Sequence, residues 1–270
     1  MRRSQSESAP WERTATDAPA APILVLQHVE CEPAAAYAEE LLDRGLEYVA
    51  VDVDEGGPLP DWREFSGIIA MGGPMSTYED AEFPWLAAEH ELIADAVRSG
   101  LPFWGVCLGA QLLASALGAP VRRTERPEIG VLPVELSRDA GIDPVFRIAP
   151  REFLAFHWHS DTYELPPAAV HLASSRATFQ QAFTINRAYG LQFHLEVSAE
   201  LAREWAQLPA YARSLDNALG QDALSPLLAA VQANAAEMTE LARKLLGRWL
   251  ETIVFPLHSE ARTAEAQRAK

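Results

Sequence analysis

The sequence predicts an α/β fold: a doubly wound, mostly parallel sheet with helices on both faces, followed by a helical extension. Three observations predict it. Short apolar runs recur through the first half of the chain and read as buried strands. Amphipathic helical stretches separate most of them, in the order β-α-β-β-α-β-α. Hydrophobic residues make up 49% of the 270-residue chain and charged residues 22%, enough for a full core in one large domain with extensions, or in two small ones.

The elements follow in order. Residues 1–21 are rich in Ser, Ala, Pro and Thr and read as a disordered tail. Ile23 to Leu26 is the first strand, Ala34 to Arg44 a helix stopped by Gly45, and Tyr48 to Val53 a second strand. A Gly/Pro loop covers 54–60. Ser66 to Met71 is a third strand that runs into Gly72-Gly73-Pro74-Met75. Pro84 opens a helix that reaches Ser99, with Gly100 just beyond it. Leu101 to Val106 is a fourth strand, and a Leu- and Ala-rich helix follows Cys107 as far as Gly118. The second half carries more strands: Val131 to Leu136, Phe153 to Phe156, Val170 to Ala173, Gln181 to Thr184 and Tyr189 to Phe193. Helical segments then run from Ala199 to Ser214 and from Ser225 to Leu250, and 258–270 read as a polar, frayed tail.

Ligands of doubly wound sheets sit at the carboxyl ends of the strands. Gly73 and Cys107 both fall there. Gly105 and Gly109 flank the cysteine as Gly-x-Cys-x-Gly, the pattern of a nucleophile elbow with a thiol in place of the hydroxyl. Glycine permits the sharp strand-to-helix turn. The helix that follows aims N–H groups and the positive end of its dipole at the sulfur, which favours the thiolate. The plainer alternative is a buried, inert cysteine.

Attack on a carbonyl also needs a base, an orienting group and an oxyanion hole. His194 leaves a strand end, and Glu196 lies two residues on, on the same side of extended backbone. The Leu108 N–H is the expected first oxyanion donor, and the Gly73 N–H the second if the Gly-Gly loop faces the elbow. A rival reading is zinc, bound by His157, His159 and His194 with Glu196 or Asp161; it leaves the cysteine elbow unexplained. Cys31 reads as incidental.

Other bounds are coarse. A formal net charge of −16 disfavours nucleic acid as a partner. Two cysteines do not make a disulfide framework and fit a reducing, cytoplasmic setting. No apolar run approaches the roughly 20 residues of a membrane span, and the basic start lacks the apolar segment of a secretory signal.

Four segments together resemble class I (triad) glutamine amidotransferases, in the branch similar to the glutaminase domain of GMP synthetase. They are Met71-Gly72-Gly73-Pro74, Gly105 to Gln111, His159-Ser160-Asp161, and Gln192 to Glu196; Glu128-Ile129-Gly130 also fits. The resemblance spans about residues 22–205, so 22–210 is expected to form the amidotransferase-like domain and 211–257 a helical extension. It implies a flavodoxin-like sheet and cofactor-free, metal-free cleavage of a γ-carboxamide. Cys107 would be the nucleophile, His194 the base and acid, and Glu196 its orienter. Gly73 and Leu108 would supply the oxyanion hole, while Gly72, Gln111, His159 and Ser160 would bind substrate. Leu195 stands where the family often has proline, with the spacing kept. No nucleotide-binding loop is read after residue 210, so an ammonia acceptor would be a separate enzyme, or the protein works alone. Relatives that cleave γ-glutamyl conjugates give a second implied activity, and a non-catalytic binding domain a third. The C-terminal helices either cover the domain or dock an acceptor or a second copy.

Overall fold

The computed structural model describes residues 21–257. The polar tails read at the two ends lie outside those residues, apart from Ala21. One nine-stranded sheet runs through the molecule in the order β2-β1-β3-β4-β9-β8-β7-β5-β6. Its strands are β1 (Ile23–Gln27), β2 (Tyr48–Asp52), β3 (Gly67–Ala70), β4 (Phe103–Val106), β5 (Val121–Leu136), β6 (Glu152–Tyr163), β7 (Val170–Ser174), β8 (Ala182–Ile185) and β9 (Ala188–Leu191). From β2 to β9 neighbours are parallel, the flavodoxin-like part; from β9 to β6 they are antiparallel. The sheet is therefore mixed.

Period-two alternation builds both faces from the same strands. Ile23 and Val25 of β1, with Trp104 and Val106 of β4, face one core. It is covered by α1 (Ala35–Asp43), α4 (Ala199–Trp205) and α6 (Leu224–Trp249). Leu24, Leu26 and Phe103 face the other, under α2 (Trp85–Arg98) and α3 (Leu108–Ala116). The C-terminal helices thus do cover the domain. In α6, Leu227, Val231, Met238, Leu245, Leu246 and Trp249 are buried in the first core. Gly247 leaves room for Arg44, which bonds Glu40 and reaches Glu251 at 2.9 Å, while Arg243 reaches Glu40 at 3.3 Å. Arg243 thus ties α6 to α1, and Arg44 ties the end of α1 to the turn that follows α6.

Three stretches differ from the sequence reading. β6 runs seven residues past Phe156 to Tyr163, with His157 to Asp161 inside the strand. β5 begins at Val121, ten residues before the apolar alternation does. Its first half, Arg122 to Pro127, is charged and largely exposed; pairing with β6 across a bulge between Arg123 and Glu128, not burial, makes it a strand. The helical stretch after Ala199 breaks at 206–208, where Pro209 opens α5 (Pro209–Leu219).

Candidate active site

β4 delivers Cys107 to the sheet's carboxyl edge. Its backbone is strained, φ 51° and ψ −103°, which a non-glycine residue rarely adopts. The surroundings over-determine it. Cys107 N–H donates to Leu191 at 2.7 Å, and its carbonyl accepts from Ala110 and Gln111 at 3.1 Å each. The glycines are needed for space. A Cβ on Gly105 would lie 2.5 Å from the Gly109 carbonyl oxygen, and one on Gly109 would run into the Ala70 carbonyl.

The Gly-Gly loop faces the elbow. Gly109 N–H donates to Met71 at 3.0 Å, and a Cβ on Gly73 would sit 3.0 Å from the Leu108 side chain. Among the described residues, the N–H groups of Gly73 and Leu108 have no acceptor. Two free donors beside a sulfur are what an oxyanion hole requires.

The chain leaves β9 at Leu191, and His194 pairs back with Phe156 of β6 at 2.8 and 3.0 Å. Its Nδ1 meets Glu196 Oε1 at 2.7 Å; the other Glu196 oxygen accepts the Leu195 N–H at 3.0 Å. Trp205 packs edge-on against the imidazole, 4.8 Å between centroids. Burial opposes its charged form, but the Glu196 charge and the nearby Cys107 sulfur outweigh that, so the His194 pKa lies well above the usual imidazole range. Nε2, the nitrogen free for proton transfer, is buried without a hydrogen-bond partner among the described residues.

A cavity of about 350 Å³ opens beside Cys107. Gly73, Cys107, Gln111, His159 and Ser160 line it, with Arg123, Asp161, Tyr211 and Arg213. Gly72 stands behind the loop, where a Cβ would collide with Glu32 and come within 3.0 Å of the His194 ring. Gln111 donates to Gln192 at 3.0 Å and to the Asp161 carbonyl at 3.4 Å, and Gln192 donates in turn to the Cys107 sulfur at 3.6 Å.

His159 sits in the cavity wall with its ring turned to protein partners. Its Nδ1 donates to the Asp161 carbonyl at 3.0 Å, and its Nε2 lies 3.3 Å from Glu128. Glu128, His157 and His159 bring donor atoms within 4.8 Å of one another, a set a cation could in principle enter. The carboxylate already accepts from Gln181 at 2.9 Å. Burial pushes the His157 pKa down to about 3. This is not the zinc set suggested by sequence: Glu128 joins His157 and His159 in it, and His194, Glu196 and Asp161 do not.

Sequence reasoning missed Glu32, Tyr211, Gln192, His28 and Glu89. Glu32 is buried beside the site, bonded to the Tyr211 hydroxyl of α5. Burial raises its pKa to about 7, against the charge of His194 and the Tyr211 bond, which lower it. Its place just after the first strand's carboxyl end was a usable signal; for Tyr211 there was none. Cys31 is a free thiol, half-buried, with its pKa pushed up to about 11 by burial and by Glu32.

The sequence pattern of the family described as Glutamine amidotransferase class-I matches residues 34–205. The chain belongs to the class I glutamine amidotransferases. A putative glutamine amidotransferase-like protein, YfeJ of Salmonella typhimurium, is 34% identical over 178 residues, covering 64% of this chain and 74% of that one. One of the subunits of a glutamine-hydrolyzing GMP synthase, from Sulfolobus acidocaldarius, is 32% identical over 157 residues, covering 57% and 78%. The crystal structure of a Thermotoga maritima glutamine amidotransferase superposes with a TM-score of 0.77 at 32% identity, covering 86% of this chain and 99% of that one. Membership gives this amidotransferase a general role in glutamine amide chemistry. No helix among its described residues is long and apolar enough to cross a membrane.

Proposed function

We propose that the chain hydrolyses the side-chain amide of glutamine through a thioester on Cys107. One observation carries the reading: a strained thiol stands beside two unpaired N–H groups and a histidine braced by a carboxylate at 2.7 Å. The thiol proton rests on Nε2 of His194, whose pKa is raised, and the sulfur attacks the amide carbon. The oxyanion forms toward the Gly73 and Leu108 N–H groups. On collapse the C–N bond breaks, and His194 returns the proton to the departing ammonia. Water, deprotonated by the same nitrogen, cleaves the thioester and frees glutamate and the thiol. Gln192 and Gln111 hold the sulfur's polar surroundings, and Ser160 and Asp161 face the substrate's amino-acid end.

A larger γ-glutamyl conjugate is the second reading. The cavity falls in the size range of drug-like ligands, larger than glutamine itself, and presents Arg123 and Arg213 in an otherwise acidic chain. Two guanidinium groups suit further carboxylates. The amidotransferase relatives named as GMP synthase subunits make a separate ammonia acceptor the proposed partner, with self-association the other arrangement; cytoplasmic residence remains part of the proposal.

The test is substrate profiling of the purified chain. Glutamine and a panel of γ-glutamyl amides are supplied, and ammonia, amine and glutamate are measured. Equal release of ammonia and glutamate is expected. Cys107→Ala is expected to lower kcat by at least about 10⁴-fold with an unchanged circular dichroism spectrum. No turnover of any γ-glutamyl amide, or full turnover by Cys107→Ala, would overturn the reading.

A further inference from the structure

We infer that His28 and Glu89 form a positioning relay for the oxyanion hole, fixing the peptide that presents the Gly73 N–H. The inference rests on the amide-hydrolysis reading above, which gives that N–H its task. His28 follows β1 and Glu89 lies in α2; both side chains are fully buried. The imidazole Nδ1 is 3.0 Å from the Gly72 carbonyl oxygen, and Nε2 is 2.8 Å from Glu89 Oε1. A carbonyl oxygen can only accept, so Nδ1 carries a proton. Nε2 faces the Glu89 carboxyl, and the raised His28 pKa favours the doubly protonated ring. Trp85 stacks on it with centroids 5.7 Å apart, as suits a cation. Burial opposes that charge, but Glu89 and the bond to Gly72 outweigh it and raise the His28 pKa.

The Gly72 carbonyl and the Gly73 N–H belong to one peptide group. In a trans peptide they point in opposite directions. A donor anchored on the carbonyl side therefore holds the N–H away from His28, and Gly73 lines the cavity that holds Cys107. The hydrogen bond from a cation also polarises the amide and strengthens the N–H as a donor. The fit leaves no slack, since a Cβ on Gly73 would lie 3.0 Å from both the His28 and Leu108 side chains.

Stability alone gives a weak reason for the pair. A buried ion pair stabilises a fold no better than apolar side chains of the same volume. Here the second Glu89 oxygen has no hydrogen-bond partner among the described residues. What an apolar pair would lack is the fixed peptide.

The test uses His28→Phe, His28→Asn and Glu89→Gln in the full chain. Two quantities are measured: kcat and KM for the best γ-glutamyl amide, and the rate of alkylation of the Cys107 peptide by iodoacetamide. Alkylation displaces iodide at a tetrahedral carbon, so it reads the sulfur and His194 without any oxyanion. His28→Phe is expected to lower kcat about 10- to 100-fold, somewhat less than outright loss of an oxyanion donor. KM should stay within about twofold and the alkylation rate should hold. His28→Asn restores part of kcat by donating to Gly72 from its amide, and Glu89→Gln loses about 3- to 10-fold, keeping the bond but not the charge. If His28→Phe does not fold, the other two variants carry the test. Unchanged kcat, or kcat and alkylation falling together, would overturn the relay alone. A wild-type chain that turns over no γ-glutamyl amide fails the parent reading first, and the relay with it.

Discussion

Two buried histidine–carboxylate pairs belong to the candidate site, one beside Cys107 and one behind the Gly-Gly loop, and the contrast between them lies in their unused atoms. His194 spends Nδ1 on Glu196 and keeps Nε2 free beside Cys107. His28 spends both nitrogens, one on Glu89 and one on the Gly72 carbonyl. In both rings a buried carboxylate raises the pKa against the pull of burial. A ring with a free nitrogen can carry a proton back and forth. A ring with both nitrogens engaged can only hold its neighbours in place.

The sharpest test of this contrast removes the same charge from each pair. Glu196→Gln is expected to lower kcat by about 10²- to 10⁴-fold, because it loses the orientation and charge that support the shuttling imidazole. Glu89→Gln should cost far less, and only in kcat. Equal losses would break the distinction. The next effect is on the backbone that carries Cys107. Gly109→Ala drives a methyl into the Ala70 carbonyl, where β3 and the elbow helix meet. A loss of about 3 kcal/mol or more is expected, read as a lowered urea midpoint.

Glu32 lies between the pairs, in the field of both His194 and His28, with Tyr211 and Glu196 also facing it. Its carboxyl titrates near 7 when folded, against an ordinary value of 4.5. The stability it contributes is complete below pH 4.5 and is lost as pH rises through 7. Glu32→Gln should therefore gain on the wild type by about 2–3 kcal/mol between pH 5 and pH 8, measured by denaturant unfolding at each pH. A constant difference across that range would show that Glu32 does not titrate there. The smallest effect lies far from both pairs. Arg243→Ala removes the ion pairs to Glu39, Asp43 and the buried Glu40 and should cost about 1 kcal/mol with activity unchanged.

The readable parts of the site share one property, that their geometry is local. Gly105, Cys107 and Gly109 fit one turn, and His194 and Glu196 meet across two residues even though the backbone there has left β9. The continuous apolar runs of β1 and β4 were readable for the same reason. The charged start of β5 was not, because its strand character comes from β6. Gln192 stood inside a recognised segment, but its bonds to Cys107 and Gln111 span 85 and 81 residues.

The sequence by itself determined the alternating fold, the strained thiol and the histidine with its carboxylate, since short-range backbone geometry dictates each. Only the tertiary structure decided that His28 would meet the Gly72 carbonyl, that Glu89 would lie on its other nitrogen, and that Tyr211 would cap Glu32. Those polar partners meet because β1, β3, β4 and β9 end side by side. Once water is excluded there, most buried donors and acceptors pair with whatever the strand order brings near, however distant along the chain.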